Sequence, residues 1–241
     1  MRTLFSIFVF TYFSFLFLFF FIIISIVFLI TFPFDKYRKA PNFVLSIMAR
    51  CMMFASPRWK MDFQGTNKFD SSEPTIFVCN HQSFLDMAVI YHLPWKMKWV
   101  SKRSLTYIPV MGWLVWLTGH LTINRKSRTA LKKLENLVQP LKDLVPVMIF
   151  PEGTRSVNGE IKPFKNGAFL LAQEYGFKIQ PMVIDGGHIA MPSGSGNLNP
   201  NVNFKLRVLE SVDPENFDSL SEIKEHVRSL LIEQLKELRH T

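Results

Sequence analysis

The sequence predicts an α/β fold: a layered domain preceded by an N-terminal membrane helix or helical hairpin. Three observations predict it. The N-terminus carries a long uncharged apolar run; beyond residue 58 short apolar runs alternate with longer amphipathic ones; and 241 residues support one sizeable core, not two full domains once a membrane segment is set aside. The chain accordingly divides into 1–57, membrane-anchoring helices, and 58–241, the layered domain.

From Leu4 to Phe32 there is no charged residue. At 1.5 Å rise such a helix is roughly 43 Å long against a ~30 Å hydrocarbon core, so it tilts, protrudes or bends. A secretory signal peptide fits less well, because the apolar part is about twice the usual length and no small-x-small cleavage pattern follows. Lys36, Arg38, Lys39, Arg50, Arg58 and Lys60 follow the run, whereas Arg2 alone precedes it. The positive-inside bias places the bulk of the chain on the cytoplasmic face of the cell membrane. Pro33 and Pro41 bracket a break, after which residues 43–54 form a second apolar helical stretch. It is either the return arm of a hairpin in or on the membrane or the first helix of the core.

Strands are expected at 59–63, 75–79, 97–101, 121–124, 145–150, 179–184 and 204–208, and helices at 83–92, 108–118, 127–141, 166–175 and 220–238. Residues 192–201 read as a Ser/Gly/Asn loop. The last helix has an apolar stripe including Ile223, Val227, Leu231 and Leu235, as a helix packed on the core requires.

A hydrophobic share of 48% coexists with 28 Lys+Arg against 19 Asp+Glu, a formal charge of +9. No recognition helix, zinc-finger spacing or ribonucleoprotein motif accompanies that charge, so anionic lipid is the expected partner and nucleic acid is not. Cys51 and Cys79 are too few for a disulfide framework, which points to a reducing compartment. His92, His120, His188, His226 and His240 lack metal-ligand spacing, and no metal is expected.

The strand at 75–79 runs into Asn80-His81-Gln82-Ser83-Phe84-Leu85-Asp86. A His at a strand end and an Asp five positions later, in the first helical turn, can meet across the bend. The carboxylate would then hold the Nδ1 proton and leave Nε2 free to accept one. Ser83-x-x-Asp86 is equally a capping box, in which Asp86 only serves the helix N-terminus. After the strand at 145–150 comes Pro151-Glu152-Gly153-Thr154-Arg155-Ser156, where a Gly-containing turn and a guanidinium suit a phosphate. Gly119 to Arg125 places another Arg at a strand end, and Lys162 and Lys165 follow downstream. Cys79, two residues before His81, admits a thiol-nucleophile reading, against which stands its place as a small apolar residue in a strand. Between residues 95 and 116, Trp95, Trp99, Trp113 and Trp116 mix with Lys96, Lys98, Lys102 and Arg103, a composition of either a bilayer-resting surface or ordinary core.

In these residues the sequence resembles the lysophospholipid acyltransferase superfamily, in particular its bacterial 1-acyl-glycerol-3-phosphate acyltransferases. Four ordered blocks carry the resemblance: N-H-x-S-x-x-D at 80–86, G-x-x-x-I-x-R at 119–125, F-P-E-G-T-R-S at 150–156, and a Pro-containing apolar strand at 179–184. They span roughly residues 59 to 210, and four blocks in order are specific. The resemblance implies a layered αβ glycerolipid acyltransferase domain at 58–241, with His81 as general base and Asp86 as its orienting partner. It implies that Arg125, Glu152, Gly153, Thr154 and Arg155 hold the acceptor's glycerol phosphate. Lys102 and Lys165 are further candidates for that phosphate, Lys102 being otherwise a solvated surface residue. The implied reaction moves a fatty acyl group from acyl-CoA or acyl carrier protein to a lysophospholipid, with no cofactor beyond that co-substrate. Thr122 and Asn124 depart from the family pattern and leave acceptor fit open. Other acceptors, such as a lyso-ornithine lipid or lysocardiolipin, and a catalytically idle lipid-binding scaffold are the alternatives.

Overall fold

The computed structural model describes residues 2–124, 130–192 and 194–240. Seven strands form one sheet: β1 (Trp59–Gln64), β2 (Thr75–Cys79), β3 (Lys98–Lys102), β4 (Leu121–Ile123), β5 (Val147–Ile149), β6 (Lys178–Asp185) and β7 (Val202–Val208), in the order β1-β7-β6-β2-β5-β3-β4. Neighbours are parallel except β6 and β7. The carboxyl ends of β6, β2, β5, β3 and β4 therefore share one edge, the edge at which open α/β sheets hold ligands.

Strand alternation sends side chains to two cores. Phe77, Cys79, Met148, Met182 and Ile184 pack on one face with α1 (Arg2–Thr31), α2 (Lys39–Met52), α3 (Leu85–Ile90) and α4 (Met111–Leu117). Ile76, Val78, Val147, Ile149, Ile179 and Val183 pack on the other with α5 (Ala130–Leu134), α6 (Val138–Lys142), α7 (Gly167–Tyr175) and, beyond the short α8 (Gly187–Ala190), α9 (Leu220–His240). Both faces are covered at the centre, so β2 and β5 are buried along their whole length, whereas the edge strand β1 and its neighbour β7 alternate with polar residues.

All seven expected strands are present. The helix expected at 127–141 is instead α5, a 3-10 turn over Glu135–Leu137, and α6. Pro140 lacks the N–H that a continuous helix would need to bond residue 136, but it is tolerated in the first turn of a new helix. Residues 127–129 lie outside the described residues. The four-residue α8 had no periodic signal in the sequence.

One stripe of α1, from Ser6 through Val9, Phe13, Leu16, Phe20 and Ile24 to Phe28, is buried. Its other faces expose Leu4, Phe8, Phe15, Ile22 and Leu29. The helix lies along the domain rather than standing clear of it: the Leu198 N–H donates to Ser6 Oγ at 2.8 Å, Tyr12 OH donates to the Cys51 carbonyl at 2.9 Å, and Phe17 meets Phe84 with ring centroids 6.4 Å apart. α2 packs against α1 and α3 and joins the same buried cluster, as the first helix of a core does.

Candidate active site

β2 ends at Cys79, and the bend that follows is fixed by Asn80. Its side-chain amide donates to the Ile184 carbonyl at 2.8 Å and its oxygen accepts the Ile184 N–H at 2.9 Å, extending the β2–β6 pairing by a side chain. His81 Nδ1 then lies 2.8 Å from Asp86 Oδ2. The same oxygen accepts the backbone N–H groups of Gln82 and Ser83 at 2.6 and 2.8 Å. Ser83 Oγ accepts the Leu85 N–H at 3.3 Å, so the capping arrangement and the imidazole contact are made by one carboxylate. An acceptor at Nδ1 places the proton there and leaves Nε2 as the basic nitrogen. Asp86 is fully buried; its Oδ1 has no hydrogen-bond partner among the described residues and lies against Gly187, where a Cβ would overlap it.

The loop after β5 closes over this bend. Phe150 stacks on the His81 ring at 4.0 Å between centroids, 12° from parallel. Glu152 Oε1 accepts the His81 N–H at 2.8 Å, Glu152 Oε2 accepts the Lys162 N–H at 3.1 Å, and the Ser156 N–H donates to the His81 carbonyl at 2.7 Å. Burial raises the Glu152 carboxyl above its ordinary value, against the pull of those two N–H donors. Both oxygens of Glu152 are thus taken up by main-chain donors. Glu152, expected to contact the acceptor, clamps two loops together through these bonds, because a buried carboxylate needs such donors.

Gly153 takes φ +71° and Lys165 folds over it, with Lys165 Nζ 3.2 Å from where a Gly153 Cβ would stand. These two residues and Phe150 line a cavity of about 60 Å³ at the carboxyl edge of the sheet. Lys102, exposed at the end of β3, lies on the same edge. Thr154 and Arg155 are exposed, and the Arg155 carbonyl accepts Lys162 Nζ at 2.8 Å. Arg125 lies outside the described residues. The structure therefore brings His81, Asp86, Glu152, Gly153 and Lys165 to one place. Among the described residues, Thr154, Arg155 and Lys102 make no side-chain hydrogen bond into it.

Other residues that shape the site were not legible beforehand. Gln82 donates to Asp185 Oδ1 at 2.9 Å and faces His188 Nδ1 at 3.1 Å, and Arg239 binds Asp185 at 3.1 and 3.2 Å. Burial alone would raise the Asp185 carboxyl, but Arg239 and Gln82 outweigh it and hold it low. The end of α9 is thereby tied to the residue next to His81, a link across more than 150 positions of chain that no local pattern announces. Cys79 is fully buried, and burial pushes its thiol well up, with the Asp86 and Glu152 carboxylates adding to the effect. A thiolate nucleophile is disfavoured there.

Fold and site together define a class: a three-layer α/β domain with a carboxylate-oriented histidine beside a Gly-containing turn at the carboxyl edge of its sheet. The family model described as Acyltransferase matches residues 60–185. A 1-acyl-sn-glycerol-3-phosphate acyltransferase from Chlamydomonas reinhardtii is 41% identical over 164 residues, covering 67% of this chain and 49% of that protein. One from Helicobacter pylori is 34% identical over 158 residues, covering 63% and 64%. The chain spans about half the length of several curated relatives it matches. The crystal structure of the 1-acyl-sn-glycerophosphate (LPA) acyltransferase PlsC from Thermotoga maritima shares the fold, with a TM-score of 0.80 at 23% identity over 100% of this chain and 99% of that one. The chain belongs to the acyltransferase family.

Proposed function

We propose that the chain is a membrane-anchored acyltransferase. It transfers a fatty acyl group from acyl-CoA or acyl carrier protein to the free hydroxyl of 1-acyl-glycerol-3-phosphate, giving phosphatidate on the cytoplasmic face of the membrane. The observation that carries this reading is the 2.8 Å contact between His81 Nδ1 and Asp86 Oδ2 beside the Gly153–Lys165 turn. His81 Nε2 takes the proton of the attacking hydroxyl while its oxygen bonds to the thioester carbonyl carbon, and Asp86 stabilises the imidazolium. Collapse of the tetrahedral adduct breaks the C–S bond. The departing thiolate, of ordinary pKa near ~8.5, regains the proton from Nε2, so no metal or acyl-enzyme is required. Lys165, the Gly153 turn, Lys102, Arg125, Thr154 and Arg155 supply the acceptor phosphate with its positive surroundings, and Glu152 holds the turn in place. The passage of α1 beside Phe84 supports an acceptor that reaches His81 from the lipid phase.

The test is transfer of labelled acyl groups from each thioester donor to lysophosphatidate, a lyso-ornithine lipid and lysocardiolipin. Parent enzyme should prefer lysophosphatidate, and His81→Ala and Asp86→Asn should each lower kcat by on the order of 10²–10⁴ with lipid binding retained. A parent idle on every acceptor, or a His81→Ala variant as active as the parent, would remove the proposal.

A further inference from the structure

The turn between α1 and α2, the start of β3 and the segment before β5 enclose a cleft of about 700 Å³. It opens at the amino ends of β3 and β5, the edge opposite His81. Lys39, Lys96 and Lys98 line it together with Val27, Phe43 and Val44, and no carboxylate is among its described lining residues. Arg38 reinforces the cluster: its side chain and Lys98 Nζ would lie 3.1 and 3.3 Å from a Cβ at Gly119. Of the neighbouring acids, neither lines the cleft, although Asp35 lies close enough to attract Lys98. Asp35 accepts the Ala40 N–H at 2.7 Å, and Asp143 pairs with Lys36 at 3.1 Å and with Tyr37.

We propose that this cleft is a binding site for one anionic phospholipid of the bilayer. The headgroup phosphate rests among Lys39, Lys96 and Lys98, and part of an acyl chain lies along Val27, Phe43 and Val44. Charge complementarity selects the headgroup. A lipid is favoured over a soluble anion because the walls are mainly apolar and α1, which forms one of them, exposes Leu29 and Ile30 close by. The volume falls in the range of built ligand sites and accommodates a headgroup with the upper part of a chain. Lys98 is only 4% exposed, and its Nζ donates to the Thr118 carbonyl at 2.6 Å. Burial pushes that ammonium down to about 8, with Arg38 and Lys39 opposing the pull of Asp35; a phosphate would offset the desolvation. Arg38 and Leu144, on either side of the cleft, take φ +50° and +57°, backbone conformations that surrounding structure must enforce. The site stands independently of the transfer chemistry at His81.

The full chain is reconstituted in phosphatidylcholine vesicles with a trace of phosphatidylglycerol carrying a photoreactive group high in one acyl chain, and the labelled peptides are mapped. Labelling should fall within residues 27–44 and 96–98, be displaced by unlabelled phosphatidylglycerol but not by phosphatidylcholine, and be as strong in His81→Ala as in the parent. The double variant Lys39→Gln/Lys96→Gln should bind about 25-fold more weakly, at about fivefold per lysine near an anionic headgroup, while Lys60→Gln binds as the parent does. Equal labelling by a phosphatidylcholine probe would reduce the cleft to an apolar crevice and overturn the proposal. Unchanged labelling of the double variant would do the same.

Discussion

Asp86 performs two tasks that sequence reasoning treats as rivals: it closes the turn ahead of α3 and it holds the His81 imidazole. Its place depends on Gly187, because a Cβ there would overlap Oδ1 and approach the Ser83 Cβ to 2.9 Å. Gly187→Ala should therefore lower kcat by on the order of 10²-fold, the effect of an ångström-scale misplacement, in a protein that still folds. Gly196→Ala, with nothing within 4 Å of the added carbon, should leave kcat unchanged. Equal kcat values in the two variants would show that Asp86 tolerates displacement. Glu152→Gln tests the clamp between the loops. A Gln amide turns a donor toward one of the two N–H groups now satisfied, so unfolding free energy should drop by about 1–3 kcal/mol and kcat should fall with it. Thermal unfolding and steady-state rates indistinguishable from the parent would refute the clamp.

At the level of elements, the four Trp residues between 95 and 116 divide between core and surface. Trp99 is 2% exposed within the core, whereas Trp113 and Trp116 on α4 are 55% and 58% exposed and pack beside Phe21 and Phe28 of α1. The exposed flank of α1 and these two indoles form a continuous apolar surface suited to the membrane interface. Brominated phospholipid should quench parent fluorescence, and the quenched component should vanish in Trp113→Phe/Trp116→Phe but persist in Trp99→Phe. Quenching unaffected by the double substitution would place this face away from lipid. Strand positions were legible because burial on both sides of the sheet makes the central β2 and β5 apolar runs, and the outer β7 alternates with the period of a half-buried strand. The division of α5 from α6 followed from Pro140 but was not drawn from it, and α8 is too short to carry a period.

For the molecule as a whole, a charge of +9 rests on exposed or half-buried Lys and Arg, with Lys98 alone of them buried among the described residues. Lys98 has the largest consequence for folding. With its ammonium at about 8 in the folded protein against 10.5 ordinarily, the unfolded chain binds more protons between those values. Stability in lipid-free detergent should rise as pH increases from 8 toward 10.5, the penalty being carried in full below 8. Its size is on the order of 3 kcal/mol. Lys98→Met, which keeps the stem in the core, should unfold at a higher temperature at pH 7 and lose that part of the rise. A variant whose midpoint tracks the parent across the whole range would show that Lys98 remains charged at no cost.

The sequence by itself determined the long apolar N-terminal helix, the α/β class, the strand positions and the blocks at 80–86 and 150–156, because each is a local pattern of apolar period or residue spacing. Only the tertiary structure decided that Glu152 is consumed by the main-chain donors of His81 and Lys162, that Gln82 is tied through Asp185 to Arg239 at the far end of the chain, and that α1 lies along the domain. It likewise assembled the basic cleft from the α1–α2 turn and the strand edge. These are contacts between segments distant in the chain, and a one-dimensional pattern records which side chains could meet but not which of them folding brings within reach.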